Sequence, residues 1–117
     1  MYLDYLFQNK NKIFIDGGTG SEIERLGGKM NSAWGATTNL TSPEIVIKVH
    51  ENFINAGCDI ITTNTFASCR HTLDGPGCSE NTLQINKAAV NLAKTAIKNV
   101  SKKNIIIAGC MSNFFAL

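Results

Sequence analysis

Apolar residues arrive along this chain in two rhythms. Ile13-Phe14-Ile15 and Ile105-Ile106-Ile107-Ala108 are short unbroken runs, and Asp59-Ile60-Ile61-Thr62-Thr63-Asn64-Thr65-Phe66 is β-branched almost throughout. Runs without polar alternation read as strands covered on both faces of a parallel sheet. Three strands are therefore predicted, at about 12–16, 59–65 and 104–109. Between them the period lengthens to that of a helix. Ile45, Val49 and Phe53, flanked by Val46 and Ala56, make one apolar face that closes at Gly57. Thr41-Ser42-Pro43-Glu44 marks its start, either with Ser42 as cap and Pro43 in the first turn or as a Thr41/Glu44 capping box. A longer helix is predicted from about Glu80 to Val100, with Ile85, Ala89, Leu92, Ala93, Ala96 and Val100 inward and Lys87, Asn91, Lys94 and Lys98 outward. Met1 to Phe7 reads as a short helix or packing arm, and Ala67 to Ser79 as a long loop.

Strand, helix, strand, helix, strand is the order of a parallel α/β fold with right-handed crossovers. In such folds the chemistry gathers at the carboxyl edge of the sheet, and every predicted strand here turns polar or glycine-rich at that end. The first ends in Asp16-Gly17-Gly18-Thr19-Gly20-Ser21, where glycines able to take positive φ let a ligand approach the backbone. Thr19 or Ser21 is then positioned to cap a short helix, Glu22 to Leu26, that stops at Gly27-Gly28. The second delivers Asn64 and Thr65 to the same edge, and the third delivers Cys110. A plain strand-to-helix turn explains the glycine loop as well as a ligand site does. Ile23 stands where a dinucleotide fingerprint needs its third glycine, and no phosphate-loop Gly-Lys-Ser/Thr occurs. Trp34, in the polar stretch Lys29 to Leu40, either plugs the end of a sheet or lines a pocket.

Charge and cysteines narrow the classes. With 11 Lys+Arg against 9 Asp+Glu the net charge is +2, and the basic residues are scattered apart from Lys102-Lys103, so nothing points to nucleic acid. Cys58, Cys69, Cys78 and Cys110 form no C-x-x-C pair, which leaves structural thiols as the plain reading. His50, inside the first long helix, reads as a surface or interface residue rather than a ligand. No secretory signal or 18-residue apolar run appears, so no membrane contact and a cytoplasmic location with reduced cysteines are expected.

Asp16-Gly17-Gly18-Thr19-Gly20, Trp34, and Thr41-Ser42-Pro43-Glu44 leading through His50-x-x-Phe53-x-x-Ala56-Gly57-Cys58-Asp59 into Thr62-Thr63-Asn64-Thr65-Phe66 together resemble the amino-terminal third of the homocysteine S-methyltransferase family. Ile107-Ala108-Gly109-Cys110-Met111-Ser112 is similar to that family's Ala-Gly-Ser segment, with cysteine for the serine, and the likeness runs from about Ile13 to Ser112. The resemblance implies a (β/α)8 barrel of TIM type that moves a methyl group from an activated small-molecule donor to the thiol of homocysteine, giving methionine. It implies zinc, which binds the substrate sulfur and lowers its pKa. By position Asp16 and Gly17, with Gly18 beside them, resemble residues at the amino acid's polar end. Asn64 and Thr65 would line the same pocket, and Trp34 and Phe66 resemble aromatic positions near the donor.

The family's zinc ligands are three cysteines from later strands, two of them adjacent, and this chain has no adjacent pair. No metal ligand is therefore assigned here, although Cys110 is the one thiol at a strand's carboxyl end. A barrel takes about 250 residues, so three βα units imply an incomplete barrel, expected to be part of a longer reading frame, with Phe114 to Leu117 ending mid-segment. Its partners would be homocysteine, a methyl donor, and the remainder of the barrel or a partner chain. Two alternatives are a stand-alone α/β binding module using the Asp16 to Ser21 loop, and a non-catalytic half-barrel that assembles with another chain.

Overall fold

The computed structural model describes residues 2–101 and 104–112; the Lys102-Lys103 pair and Phe114 to Leu117 lie outside them. Its elements are α1 (Tyr2–Asn9), α2 (Thr19–Arg25), α3 (Thr38–Thr41), α4 (Pro43–Asn55), β1 (Ile60–Thr62), α5 (Arg70–Leu73), α6 (Thr82–Val100) and β2 (Ile106–Ala108), with a 3-10 turn at Ser79–Asn81 before α6. β1 and β2 pair in parallel, Ile60 opposite Ile106 and Thr62 opposite Ala108. Ile15 bridges Ile60 on the other side of β1, also in parallel. Three parallel segments thus lie side by side in chain order, and α6 makes the crossover from β1 to β2.

The first segment departs from expectation. It makes a single bridge instead of a strand, and Phe14 and Ile15 are each 58% exposed. An apolar run is covered on both faces only where helices flank it, and one edge of this segment has no strand beside it among the described residues. The ladders are likewise shorter than 59–65 and 104–109. Thr63 still donates to the Ala108 carbonyl at 2.9 Å, but beyond it the backbone turns away to form the pocket wall.

Both glycine stops are present, and each has the same geometry. After α2 the Gly27 and Gly28 N–H groups bond the Glu24 and Ile23 carbonyls; after α4 the Gly57 and Cys58 N–H groups bond those of Ile54 and Phe53. These paired bonds are the Schellman closure, which needs a left-handed residue at its first position; Gly27 and Gly57 supply it with φ of +96° and +110°. The start of α2 differs from the expected cap. It begins at Thr19, Gly18 holds the cap position, and the Thr19 hydroxyl turns back to the Gly17 carbonyl. Ser42 is the cap residue of α4 and Pro43 its first residue, but the serine side chain makes no capping bond.

α4 and α6 pack together over the sheet and carry the core. Ile54 on α4, Ile61 on β1, and Ala93 and Ala96 on α6 form one buried cluster; Val46, Val49, Ile23 and Leu92 form another. α6 buries the face expected of it. The buried stripe on α4 is Val46, Val49, His50 and Ile54, rotated from the predicted Ile45, Val49 and Phe53. α4 meets α6, α2 and the sheet at once, so Ile45 and Phe53 end at the cluster margins. His50 is therefore not a surface residue: it is fully buried. The expected long loop after β1 also folds back, with Leu73 of α5 joining Ala33, Ala36, Ala67 and Ile85 in a third cluster beneath the loop that carries Trp34.

Candidate functional site

At the carboxyl ends of the parallel segments lies an open cavity of about 520 Å³, whose lining includes Gly17, Gly18, Trp34, Asn64, Phe66 and Cys110. Segments far apart in the chain meet there because three parallel segments end on one edge. None of Gly17, Gly18 and Gly20 has a positive φ, so the left-handed freedom open to them is not used. What these glycines supply is room: a Cβ added at Gly17 would meet nothing within 4 Å, and one at Gly18 would meet only Ser21, at 3.5 Å.

The aromatic wall is explicit. Trp34 and Phe66 stack with ring centroids 5.3 Å apart and planes 13° from parallel, each a little under half exposed. Of the two placements open for Trp34, the cavity is the one observed. Its backbone has φ +50°, a conformation that costs a bulky residue about 1–3 kcal/mol. Reciprocal backbone bonds with Asn31, at 2.8 and 3.2 Å, hold it there.

Asp16 and Thr65 stand just behind the lining instead of in it. Both Asp16 oxygens accept from Thr62, one from the backbone N–H at 2.9 Å and one from the hydroxyl at 3.0 Å. Burial outweighs these donors and raises the Asp16 pKa above the ordinary carboxylate value. The Thr65 hydroxyl donates to the Cys110 carbonyl at 2.6 Å. It has only one proton, so the Thr63 hydroxyl, 2.8 Å away, must donate to it, while Thr63 accepts from the Cys110 N–H at 3.1 Å. That closed ring of three bonds fastens the end of β1 to the end of β2. Thr63 went unpredicted, although its place two residues before Thr65, on the same face of a strand, was a readable signal.

Asn64 touches the cavity, yet its amide nitrogen is spent on the Gly35 carbonyl and Asn39 Oδ1, both at 2.9 Å. Asn39 in turn donates to the carbonyls of Asn64 and Ile85. Nothing in the sequence marked Asn39, which sits in a stretch with no period. Cys110 lines the cavity with its thiol pKa pushed up by burial and then by the Asp16 charge. Among the described residues no group of three or more His, Cys, Asp or Glu side chains can hold a metal ion. The donors present do not fit a zinc site.

Parallel segments, crossover helices and an open pocket at the carboxyl edge define an α/β protein whose pocket lies at its strand ends, the edge where folds of this class place their ligand sites. The chain belongs to the homocysteine S-methyltransferase family, whose family model matches residues 13–117. It is 33% identical over 95 residues to homocysteine S-methyltransferase 2 of Arabidopsis thaliana, a match covering 80% of this chain and 28% of that protein. It is 36% identical over 66 residues to selenocysteine Se-methyltransferase of Brassica oleracea var. italica, covering 56% of this chain and 19% of that protein. Its fold matches the metallated form of the homocysteine methyltransferase MmuM from Escherichia coli with a TM-score of 0.83 at 21% identity, over 97% of this chain and 42% of that one. The chain thus spans less than a third of the length of these two relatives and less than half of the solved structure.

Proposed function

We propose that this chain forms the first three βα units of a (β/α)8 barrel that transfers a methyl group from an activated donor to the thiol of homocysteine, giving methionine. The observation that carries this is the cavity, where the Gly17-Gly18 backbone faces the Trp34–Phe66 wall at the carboxyl edge. Backbone without side chains admits the polar end of an amino acid, and the stacked rings offer an apolar wall for its thioalkyl arm and the donor's methyl group. Asp16 lies close enough to raise the Cys110 pKa by its charge. The same charge favours a substrate ammonium, and a Cys110 kept protonated does not compete with the substrate thiol for methyl. Zinc dependence belongs to the proposal too, with ligands from outside the described residues; that MmuM of Escherichia coli, whose fold this chain shares, takes a metallated form supports it.

The test uses the room at the glycines. Gly18→Leu in the protein carrying this chain adds a side chain at the cavity lining, where its Cβ meets no backbone atom within 4 Å. We expect homocysteine affinity, read by calorimetry, to fall at least about tenfold, which is about 1.4 kcal/mol, while the unfolding midpoint stays put. Unchanged affinity together with normal methionine formation would mean that the pocket is assigned wrongly.

A further inference from the structure

The pocket's aromatic wall rests on two rings from segments that share no element. Trp34 sits in the loop before α3, in a costly left-handed conformation, and Phe66 follows β1. The backbone bridge to Asn31 engages both the N–H and the carbonyl of Trp34, and the turn closed by the Ala36 N–H on the Ala33 carbonyl spans it, but these bonds are local to the loop and do not link it to Phe66. The next carbonyl, Gly35 O, accepts from Asn64 Nδ2 at 2.9 Å. The carbonyl of Asn64, two residues before Phe66, accepts from Asn39 Nδ2 at 2.9 Å, and the two amides bond each other at 2.9 Å. A fourth bond, Asn39 Nδ2 to Ile85 O at 3.2 Å, ties the set to α6. Asn39 is 2% exposed and Asn64 8%. Buried amides linked in this way hold one arrangement, because leaving any member unpaired is costly.

We propose that Asn39 and Asn64 form an amide clasp that sets the Trp34–Phe66 stack, and so the shape of the pocket's aromatic wall, as positioning residues that act through backbone carbonyls. Neither amide nitrogen has a proton left over for ligand: each carries two, and both bonds of each are accounted for within the protein. Asn64 thus works on the wall from behind, in place of the direct substrate contact its position suggests.

Trp34 is the only tryptophan in this sequence; in the protein carrying this chain, labelled with fluorotryptophan, its fluorine resonance is assigned by its loss in Trp34→Phe, and the Phe66 ring 5.3 Å away shifts it. Phe66→Leu defines the shift for loss of the stack. Asn64→Ala is expected to move the resonance in the same sense by at least half as much, and the double variant no further than Phe66→Leu alone. Asn86→Ala removes bonds to the Ser68 and Thr82 carbonyls outside the clasp, and should leave the resonance in place. A stationary resonance in folded Asn64→Ala overturns the proposal. If that variant unfolds, Asn39→Ala carries the same comparison. Loss of helical content in both also overturns it, since a clasp that only positions the wall leaves the helix layer intact. That the wall meets homocysteine rests on the function proposed above, and the resonance is read without ligand. A shifted resonance with unaltered homocysteine affinity would keep the clasp and remove the pocket's assignment.

Discussion

The two ends of this molecule are held together by different physics. In the layer where α4 and α6 cover the sheet, Ile54, Ile61, Ala93 and Ala96 are fully buried and the stabilisation is apolar burial, non-directional and shared among many contacts. At the pocket end, large apolar side chains stay half exposed and the backbone is fixed by directional bonds from Asn39, Asn64, Thr63 and Thr65. One region tolerates no lost volume, and the other no lost donor. Damage to the first should appear as lost stability, and damage to the second as an altered pocket in a protein that still folds.

The largest expected effect lies in the helix layer. Ile61→Ala removes a fully buried side chain between α4 and α6, and should lower the unfolding free energy by about 2–5 kcal/mol. Urea denaturation measures it, and a loss well under about 1 kcal/mol would show that this cluster does not carry the stability. Next comes His50, in the same layer, whose two ring nitrogens have no partner among the described residues. Burial lowers its pKa from 6.5 to about 4. Between those values the unfolded chain takes up the proton first, so stability present above pH 6.5 is lost as pH falls to about 4 and is flat below. The loss amounts to roughly 3 kcal/mol. Replacing the ring by an apolar side chain, His50→Leu, should flatten that slope in urea midpoints measured from pH 7 to pH 4. A slope that survives the substitution would assign the acid sensitivity to the carboxylates.

A smaller effect separates the regions in the opposite way. Phe66→Leu breaks the stack but buries little less surface, so its stability cost should be about 0.5–1.5 kcal/mol, while homocysteine affinity falls by more than that of Ile61→Ala measured under folding conditions. Equal effects of both variants on affinity would mean that the pocket simply reports global stability, and the distinction between the regions would fail.

The same division governs what could be read in advance. Positions of the three parallel segments, both Schellman stops and the inward face of α6 followed from short-range pattern, since strand and helix periods and left-handed glycines are local properties. Coverage was not local: Ile13-Phe14-Ile15 and Ile105-Ile106-Ile107 look alike in sequence, yet one makes a bridge and the other enters a ladder. The rotation of the α4 face that buries His50 was hidden for the same reason, as it depends on what α4 packs against. In the site, strand ends announced the glycines, Asn64 and Cys110, and the aromatic pair came through resemblance. Asn39 was illegible because its partners lie 25 and 46 positions away.

The smallest expected effect probes the electrostatics where the two regions meet. Cys110 follows β2 with its thiol pKa raised, first by burial and second by Asp16. Its alkylation by iodoacetamide at neutral pH, followed at the Cys110 peptide by mass spectrometry, should be slower than that of a free thiol, because the thiolate is the reacting form. Asp16→Asn removes the charge but keeps an oxygen to accept from Thr62, so the Cys110 rate should rise modestly while remaining below the free-thiol rate. The order of the two causes makes this a sharp comparison. Complete recovery of the free-thiol rate in Asp16→Asn would put charge ahead of burial at this end of the sheet. No rise at all would mean that the Asp16 field does not reach the cavity, and its proposed attraction for a substrate ammonium would be lost with it.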